Sequence, residues 1–167
     1  MTTRVVVLSD THLRPGLRRR LPDAVYASLP GADVILHAGD IVTGAALDEL
    51  SGFAPTYAVL GNNDLDPALA HLPEARVEVV DGVRIGMVHD SGPRRAREAR
   101  LRRRFPDADV VVFGHSHIPW NGPGAGGQLL FNPGSPTERR SQPHPTMGLL
   151  ELHRGRVVAH DLVVVGP

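Results

Sequence analysis

The chain has 167 residues, a formal net charge of zero, an isoelectric point of about 7.2 and no cysteine. That length suits one domain, residues 1–167, with a core of its own, and neutrality argues against a global attraction to nucleic acid or anionic membrane. The missing cysteine excludes disulfides and thiolate ligands, and the 18 basic residues are all arginine, which excludes lysine Schiff-base and P-loop lysine chemistry.

The first half alternates strand and helix. Arg4–Leu8 is a β-branched run, and Leu17–Leu29 carries Leu17, Leu21, Val25 and Leu29 at a spacing of four, a helix face. Asp33–Leu36 follows the Pro30-Gly31 break as a second strand, Gly44–Leu50 reads as a short helix, and Thr56–Leu60 is a third strand. Such alternation implies parallel crossovers. The second half changes character. Arg76–Val80 and Val83–Val88 flank Asp81-Gly82, a hairpin signal. Pro93–Phe105 reads as an Arg-rich helix, then come strands at Asp109–Phe113, Leu129–Phe131, Gly148–Leu152 and Arg156–Val165. Ile118–Gly127 reads as a Gly/Pro loop exposing Trp120, and Asn132–Pro145 as a second irregular stretch. One mixed sheet, or two sheets sandwiched between helices, fits this count.

Four apolar runs end in polar residues of one kind. Val5–Leu8 leads to Asp10 and His12, Val34–Leu36 to Gly39-Asp40, Tyr57–Leu60 to Gly61-Asn62-Asn63-Asp64, and Val112-Phe113 to Gly114-His115-Ser116-His117. His89 closes the Val83–Val88 run in the same way. Open α/β sheets keep their sites at the carboxyl ends of strands. In an extended segment residues i and i+2 point to one side, so Asp10 with His12, and His115 with His117, can each serve one ion. Gly39 and Gly61 let the backbone turn sharply beside Asp40 and Asn62. Two carboxylates, one amide oxygen and four imidazoles exceed the needs of one Zn²⁺ or Mn²⁺ and suit two ions sharing a carboxylate. Such a pair stands about 3.5–4 Å apart and activates a bridging water for in-line attack on phosphorus.

Asp10-x-His12, Gly39-Asp40, Gly61-Asn62-x-Asp64, His89 and Gly114-His115-x-His117 resemble, in that order, the motifs of the calcineurin-like metallophosphoesterases. The short chain and Asn132-Pro133-Gly134-Ser135 resemble the small YfcE-like phosphodiesterase branch. The resemblance implies an α/β fold, a four-layer α/β/β/α sandwich of two mixed β-sheets flanked by helices. It implies that Asp10, His12 and His117 hold one metal, Asn62, His89 and His115 the other, and that Asp40 bridges them. Asp40, Asn62 and His89 stand at the catalytic centre in this reading. The implied cofactors are two divalent metal ions, Mn²⁺ first, with Fe, Zn²⁺ or Ni²⁺ as alternatives. The implied activity is hydrolysis of small phosphodiesters by a metal-bridging hydroxide. A phosphomonoesterase and a non-catalytic scaffold of the same fold are the alternatives, and a nuclease lacks the room for a cap or basic groove.

Two positions depart from the family pattern. Asn63 stands where many members carry a histidine placed to protonate the leaving oxygen, a contribution commonly worth about 10²–10⁴-fold. Asp90 follows His89 where relatives have glycine, and either orients a ligand histidine or faces solvent. His37 is either a supporting residue or a packed strand-end histidine, and Asp64 either orients Asn62 or Asn63 or closes an Asx turn. His71, His144, His153 and His160 read as lying outside the site. The seven arginines of Arg94–Arg104 read as a solvated face, so nucleic-acid binding is disfavoured. Arg139 or Arg140 is a candidate contact to a substrate phosphate. With no signal-like start and no apolar run long enough for a membrane span, a cytoplasmic protein is expected. Trp120 in an exposed loop points to a homodimer or larger homo-oligomer.

Overall fold

The computed structural model describes residues 1–16 and 18–167. Its strands are β1 (Thr3–Leu8), β2 (Val34–His37), β3 (Thr56–Ala58), β4 (Ala75–Val80), β5 (Val83–Val88), β6 (Val110–Val112), β7 (Trp120–Pro123), β8 (Leu129–Asn132), β9 (Thr146–His153) and β10 (Arg156–Val164). The helices are α1 (Asp23–Ser28), α2 (Gly44–Ser51) and α3 (Arg97–Arg104). One five-stranded sheet runs β10-β9-β1-β2-β3 and the other β4-β5-β6-β8-β7. β1, β2 and β3 are parallel, as are β5, β6 and β8, while β4 runs antiparallel to β5, β7 to β8, and β9 to both β1 and β10.

The side-chain period of two explains the layering. Val5 and Val7 of β1 face the second sheet and pack with Leu36, Ile85, Met87, Val110, Val112 and Phe131. Val6 and Leu8 face outward and meet Leu21, Val25 and Leu29. On the far side Val111, Phe113 and Leu130 meet Leu101 of α3 and Phe105 just after it. Central strands are covered on both faces, so their sequences are continuous apolar runs rather than alternations. The result is the four-layer α/β/β/α sandwich of two mixed sheets.

Several boundaries differ from the sequence reading. The helix expected over Leu17–Leu29 reduces to Asp23–Ser28 and one 3₁₀ turn, because Pro22 cannot sit inside a helix and caps its start instead. Leu21, Val25 and Leu29 are buried as the spacing implied, and Leu17 lies outside the described residues. The helix expected from Pro93 begins only at Arg97, after Ala96 adopts a left-handed conformation. Ile118–Gly127 is not simply a loop, since β7 pairs antiparallel with β8. Trp120 is half-buried against the α3 cluster with the Arg94 guanidinium 5.1 Å above its ring, so it is less exposed than the oligomer argument assumed. No helix among the described residues is long and apolar enough to cross a membrane.

Candidate metal centre

The ends of β1, β2, β3, β5 and β6 lie side by side in the two sheets, and all seven singled-out residues follow them. The side chains converge in two groups. In the first, Nε2 of His12 and Nε2 of His117 are 3.3 Å apart, and Asp10 Oδ1 stands 3.4 Å from His117 and 3.9 Å from His12. In the second, Asn62 Oδ1 lies 3.0 Å from His89 Nε2 and 3.1 Å from His115 Nδ1. Asp40 Oδ2 lies between them, 3.5 Å from His12 Nε2 and 3.6 Å from His89 Nε2. His115 and His117 thus part company, each joining a different group.

The route to this convergence is not the extended backbone expected from the i, i+2 spacing. Asp10 (φ 55°), His12 (φ 44°), Asp40 (φ 59°), His115 (φ 68°) and His117 (φ 60°) are all left-handed. A non-glycine residue held there costs of order 1–3 kcal/mol, and such residues cluster at functional sites. The surroundings hold them in place. Asp64 accepts from the main-chain N–H groups of Asp40 (3.0 Å), Gly61 (2.7 Å) and Val42 (2.7 Å), so it organises the backbone around Asp40 rather than either asparagine. Asn63 donates its N–H to Asp40 Oδ1 (2.9 Å) and its amide to Asp40 Oδ2 (2.7 Å). Asp10 Oδ2 accepts from the Ser9 hydroxyl (2.6 Å) and the His115 N–H (2.9 Å). Two glycines permit the close approach, for a Cβ on Gly61 would stand 2.2 Å from Asp40 Oδ1 and one on Gly114 1.9 Å from Ser9 Oγ.

The imidazoles are oriented from behind. His89 Nδ1 donates to the Ala38 carbonyl (2.7 Å) and His117 Nδ1 to the Glu138 carbonyl (2.5 Å), which turns the Nε2 lone pair of each toward the centre. His37 is fully buried, accepts from the Gly39 N–H and bonds Thr11 Oγ1 (3.1 Å), so it supports the turn before Asp40. Burial drives its pKa down to about 3 and keeps it neutral. Burial also lowers His12, against the opposing pull of Asp40, Glu138 and Asp10. For His117 burial acts downward too, but the Asp10 carboxylate beside it and its bond to the Glu138 carbonyl raise it. Burial works to raise Asp10, and the nearby His117 imidazole, the His89 charge and the Ser9 hydroxyl outweigh that and lower it.

Asp10 Oδ1 is buried and has no hydrogen-bond partner, although three imidazole Nε2 atoms surround it. An orphaned carboxylate oxygen is costly unless a cation takes it up. Donors about 2.0–2.2 Å from a four-coordinate ion stand roughly 3.3–3.6 Å apart, close to the spacings among Asp10, His12, His117, Asp40 and His89. Among the described residues two clusters bring their donor atoms within 4.8 Å of one another, Asp10 with His12 and His117, and Asp10 with Asp40 and His89. The donor set therefore fits divalent metal.

Residues outside the motifs take simpler roles. Asp90 is exposed and closes a turn onto the Gly92 N–H (2.7 Å), the solvent-facing alternative. Arg139 is tied to its own loop through the Gln142 carbonyl (2.7 Å), whereas the Arg140 charge reaches His117. His71 and His144 are exposed, and His153 and His160 bond to the Met1 carbonyl and Asn121. Arg94 and Arg97 lie over Trp120 and Phe113, and Arg100 caps the Ser91 and Pro93 carbonyls, so much of the arginine run is structural. Ser135 and Thr137 went unrecognised in the sequence. Their hydroxyls donate to the carbonyls of Asp10 (2.8 Å) and Thr11 (2.7 Å) across more than a hundred residues; the Asn-Pro-Gly-Ser segment contains Ser135, and nothing signalled Thr137.

The calcineurin-like phosphoesterase superfamily domain matches residues 3–155. The chain belongs to that family. It is 35% identical over 136 residues to a probable metallophosphoesterase of Methanothermobacter thermautotrophicus, covering 80% of this chain and 77% of the relative. A solution structure of a Thermotoga maritima protein is 33% identical, with a TM-score of 0.74 over 97% of this chain and 99% of that one. Vps29 of Entamoeba histolytica complexed with Zn²⁺, 24% identical with a TM-score of 0.76, covers 98% of this chain and 99% of its own and shares the fold.

Proposed function

We propose that residues 1–167 form one metal-dependent phosphoric ester hydrolase domain, a phosphodiesterase for small phosphodiesters that uses two divalent ions, Mn²⁺ first. The observation that carries this reading is Asp10 Oδ1, buried without a partner and faced by Nε2 of His12, His89 and His117. In this reading Asp10, His12 and His117 hold one ion, Asn62, His89 and His115 the other, and Asp40 is shared. Ions held there supply Lewis acidity toward a phosphoryl oxygen and a lowered pKa for attacking water.

The chain's own side chains do the rest. Ala38 and Glu138 carbonyls fix the tautomers of His89 and His117, so neither ring needs to reorganise during turnover. Asn63 spends its amide on Asp40 and offers no proton to a leaving oxygen. Esters with acidic leaving groups are therefore favoured. Two clefts open beside the site, one of about 370 Å³ at Asn62, His89 and His115 with Arg104 in its wall, the other of about 400 Å³ at Asn63 with Arg14 and Leu65. A diester can lay one arm in each, which favours it over a monoester.

The test is hydrolysis of bis(p-nitrophenyl) phosphate by protein stripped of metal and reloaded with Mn²⁺, beside p-nitrophenyl phosphate and the Asp40→Asn variant. Turnover that needs metal, favours the diester and vanishes in the variant is expected. Equal background rates for wild type and Asp40→Asn would end the proposal.

A further inference from the structure

The cleft of about 400 Å³ at Asn63 adjoins the centre, since Asn63 in its wall holds Asp40 with both its N–H (2.9 Å) and its amide (2.7 Å). Most of its polar wall is already committed. Thr43 Oγ1 accepts from the Ala46 N–H (3.3 Å), and the Asp66 carboxylate accepts from the N–H groups of Gly44 (2.8 Å) and Ala68 (3.0 Å). Arg14 is exposed, and its guanidinium has no hydrogen bond or ion pair among the described residues. The rest of the wall is apolar, made by Pro15, Val42 and Leu65. Leu65 leaves 84% of its surface in solvent. Val42 is a β-branched residue at φ 85°, sustained there by the bond from its N–H to Asp64 Oδ1 (2.7 Å). Backbone strain of this kind gathers at ligand sites.

What the wall leaves free selects the ligand. A sugar or polyol arm finds no uncommitted side-chain acceptor for its hydroxyls there, and burying them unpaired is costly. A flat aromatic ring gains apolar contact with Pro15, Val42 and Leu65, and the Arg14 guanidinium is free to lie over its face. The wall also has no acid to give. The Asn63 amide is committed to Asp40, a guanidinium stays protonated, and the Gly44 and Ala68 N–H groups hold the Asp66 carboxyl below its usual range. An alcohol leaving from this cleft must depart as its anion, which a phenol, with a pKa of about 10, does far more readily than an aliphatic alcohol. We propose that this cleft is the leaving-group subsite and takes an aromatic alcohol, so that the substrates are aryl phosphodiesters. The proposal rests on the phosphodiesterase reading above. Hydrolysis then adds the oxygen of one water to phosphorus and breaks the bond from phosphorus to the aryl oxygen. The bonding pair leaves on the phenolate, and the two protons of the water pass to bulk solvent.

The test compares methyl phenyl phosphate with methyl hexafluoroisopropyl phosphate, whose alkyl leaving group is comparable to phenol in acidity, on protein reloaded with Mn²⁺. Wild type is expected to favour the aryl ester about tenfold in kcat/KM, and Leu65→Ala to remove most of that ratio. The Mn²⁺ isotherm of Leu65→Ala is expected to match wild type, because Leu65 touches none of the seven donors. Occupancy is read apart from turnover, as shifts of the Leu65 and Val42 methyl NMR signals on adding methyl benzylphosphonate, whose aromatic arm sits on a phosphorus–carbon bond. An aryl to alkyl ratio near one in wild type, or a ratio that Leu65→Ala leaves unaltered, overturns the inference while the hydrolase reading stands. No turnover of either ester with the methyl signals still shifting ends the phosphodiesterase reading and keeps the aromatic subsite. Unmoved signals overturn the subsite.

Discussion

Asp64→Asn isolates the contribution of the one carboxylate that organises the backbone of the centre without facing it. Oδ2 accepts from the N–H groups of Asp40 and Gly61 and Oδ1 from that of Val42. Asparagine keeps the shape but has one acceptor oxygen, so at least one N–H is left facing an NH₂ group. A hydrogen bond to a charged acceptor contributes about 1.5–3 kcal/mol, and an unpaired buried donor costs about 1–3 kcal/mol. Asp64 is only half-buried, which places the sum near the lower end, about 2–4 kcal/mol. At roughly 2–4 °C per kcal/mol for a chain of this size, the midpoint of thermal unfolding falls by roughly 5–15 °C. Asp40 (φ 59°) and Val42 (φ 85°) also lose the bonds that hold their left-handed backbone, so metal affinity falls about 10–100-fold. Calorimetric unfolding of metal-free protein and titration with Mn²⁺ measure the two effects. A midpoint within about 2 °C of wild type together with unchanged affinity would refute the reasoning.

Gly114→Ala places a Cβ 1.9 Å from Ser9 Oγ and 2.7 Å from Asp10 Oδ2. It is expected to cost about 1–3 kcal/mol by overpacking and to displace Asp10, read as lost stability and weakened metal binding together. Asn63→Ala frees Asp40 from its amide bond and is expected to weaken metal binding about tenfold with little change in unfolding midpoint; an unchanged binding isotherm would count against that role. His37, at about 3 when folded against 6.5 when exposed, takes up a proton on unfolding below about pH 6.5. Its contribution is complete above that pH and falls by about 1.4 kcal/mol per unit as pH drops from about 6.5 toward 3. Denaturant titrations of metal-free wild type and His37→Gln from about pH 7 to 4.5 are expected to diverge on the acid side; parallel curves would remove His37 from the account.

The parts of the fold that rest on local pattern were legible in advance. Apolar runs marked most of the strands, Asp81-Gly82 marked its hairpin, and Leu21, Val25 and Leu29 marked a buried face even though the helix there is short. β7 was missed because Trp120-Asn121-Gly122-Pro123 has no strand signature and exists as a strand only through its pairing with β8. The exposure expected of Trp120 failed for the same reason, since Arg94 and the α3 cluster that cover it arrive from elsewhere in the chain.

At the centre the division is similar. By itself the sequence determined which donors are present, because aspartate, asparagine and histidine after apolar runs have a chemistry that spacing alone can display. It could not determine how they meet. The left-handed conformations of five of the seven, the three N–H groups gathered by Asp64, and the reach of Ser135 and Thr137 to the main chain of Asp10 and Thr11 depend on contacts between distant segments. Those conformations are strained in an isolated peptide and persist only where the packed sandwich supplies the compensating bonds. The i, i+2 spacing set His115 and His117 on one ion and the family resemblance divided them; in the folded chain His117 stands by His12 and His115 by Asn62, a grouping that spacing alone could not give.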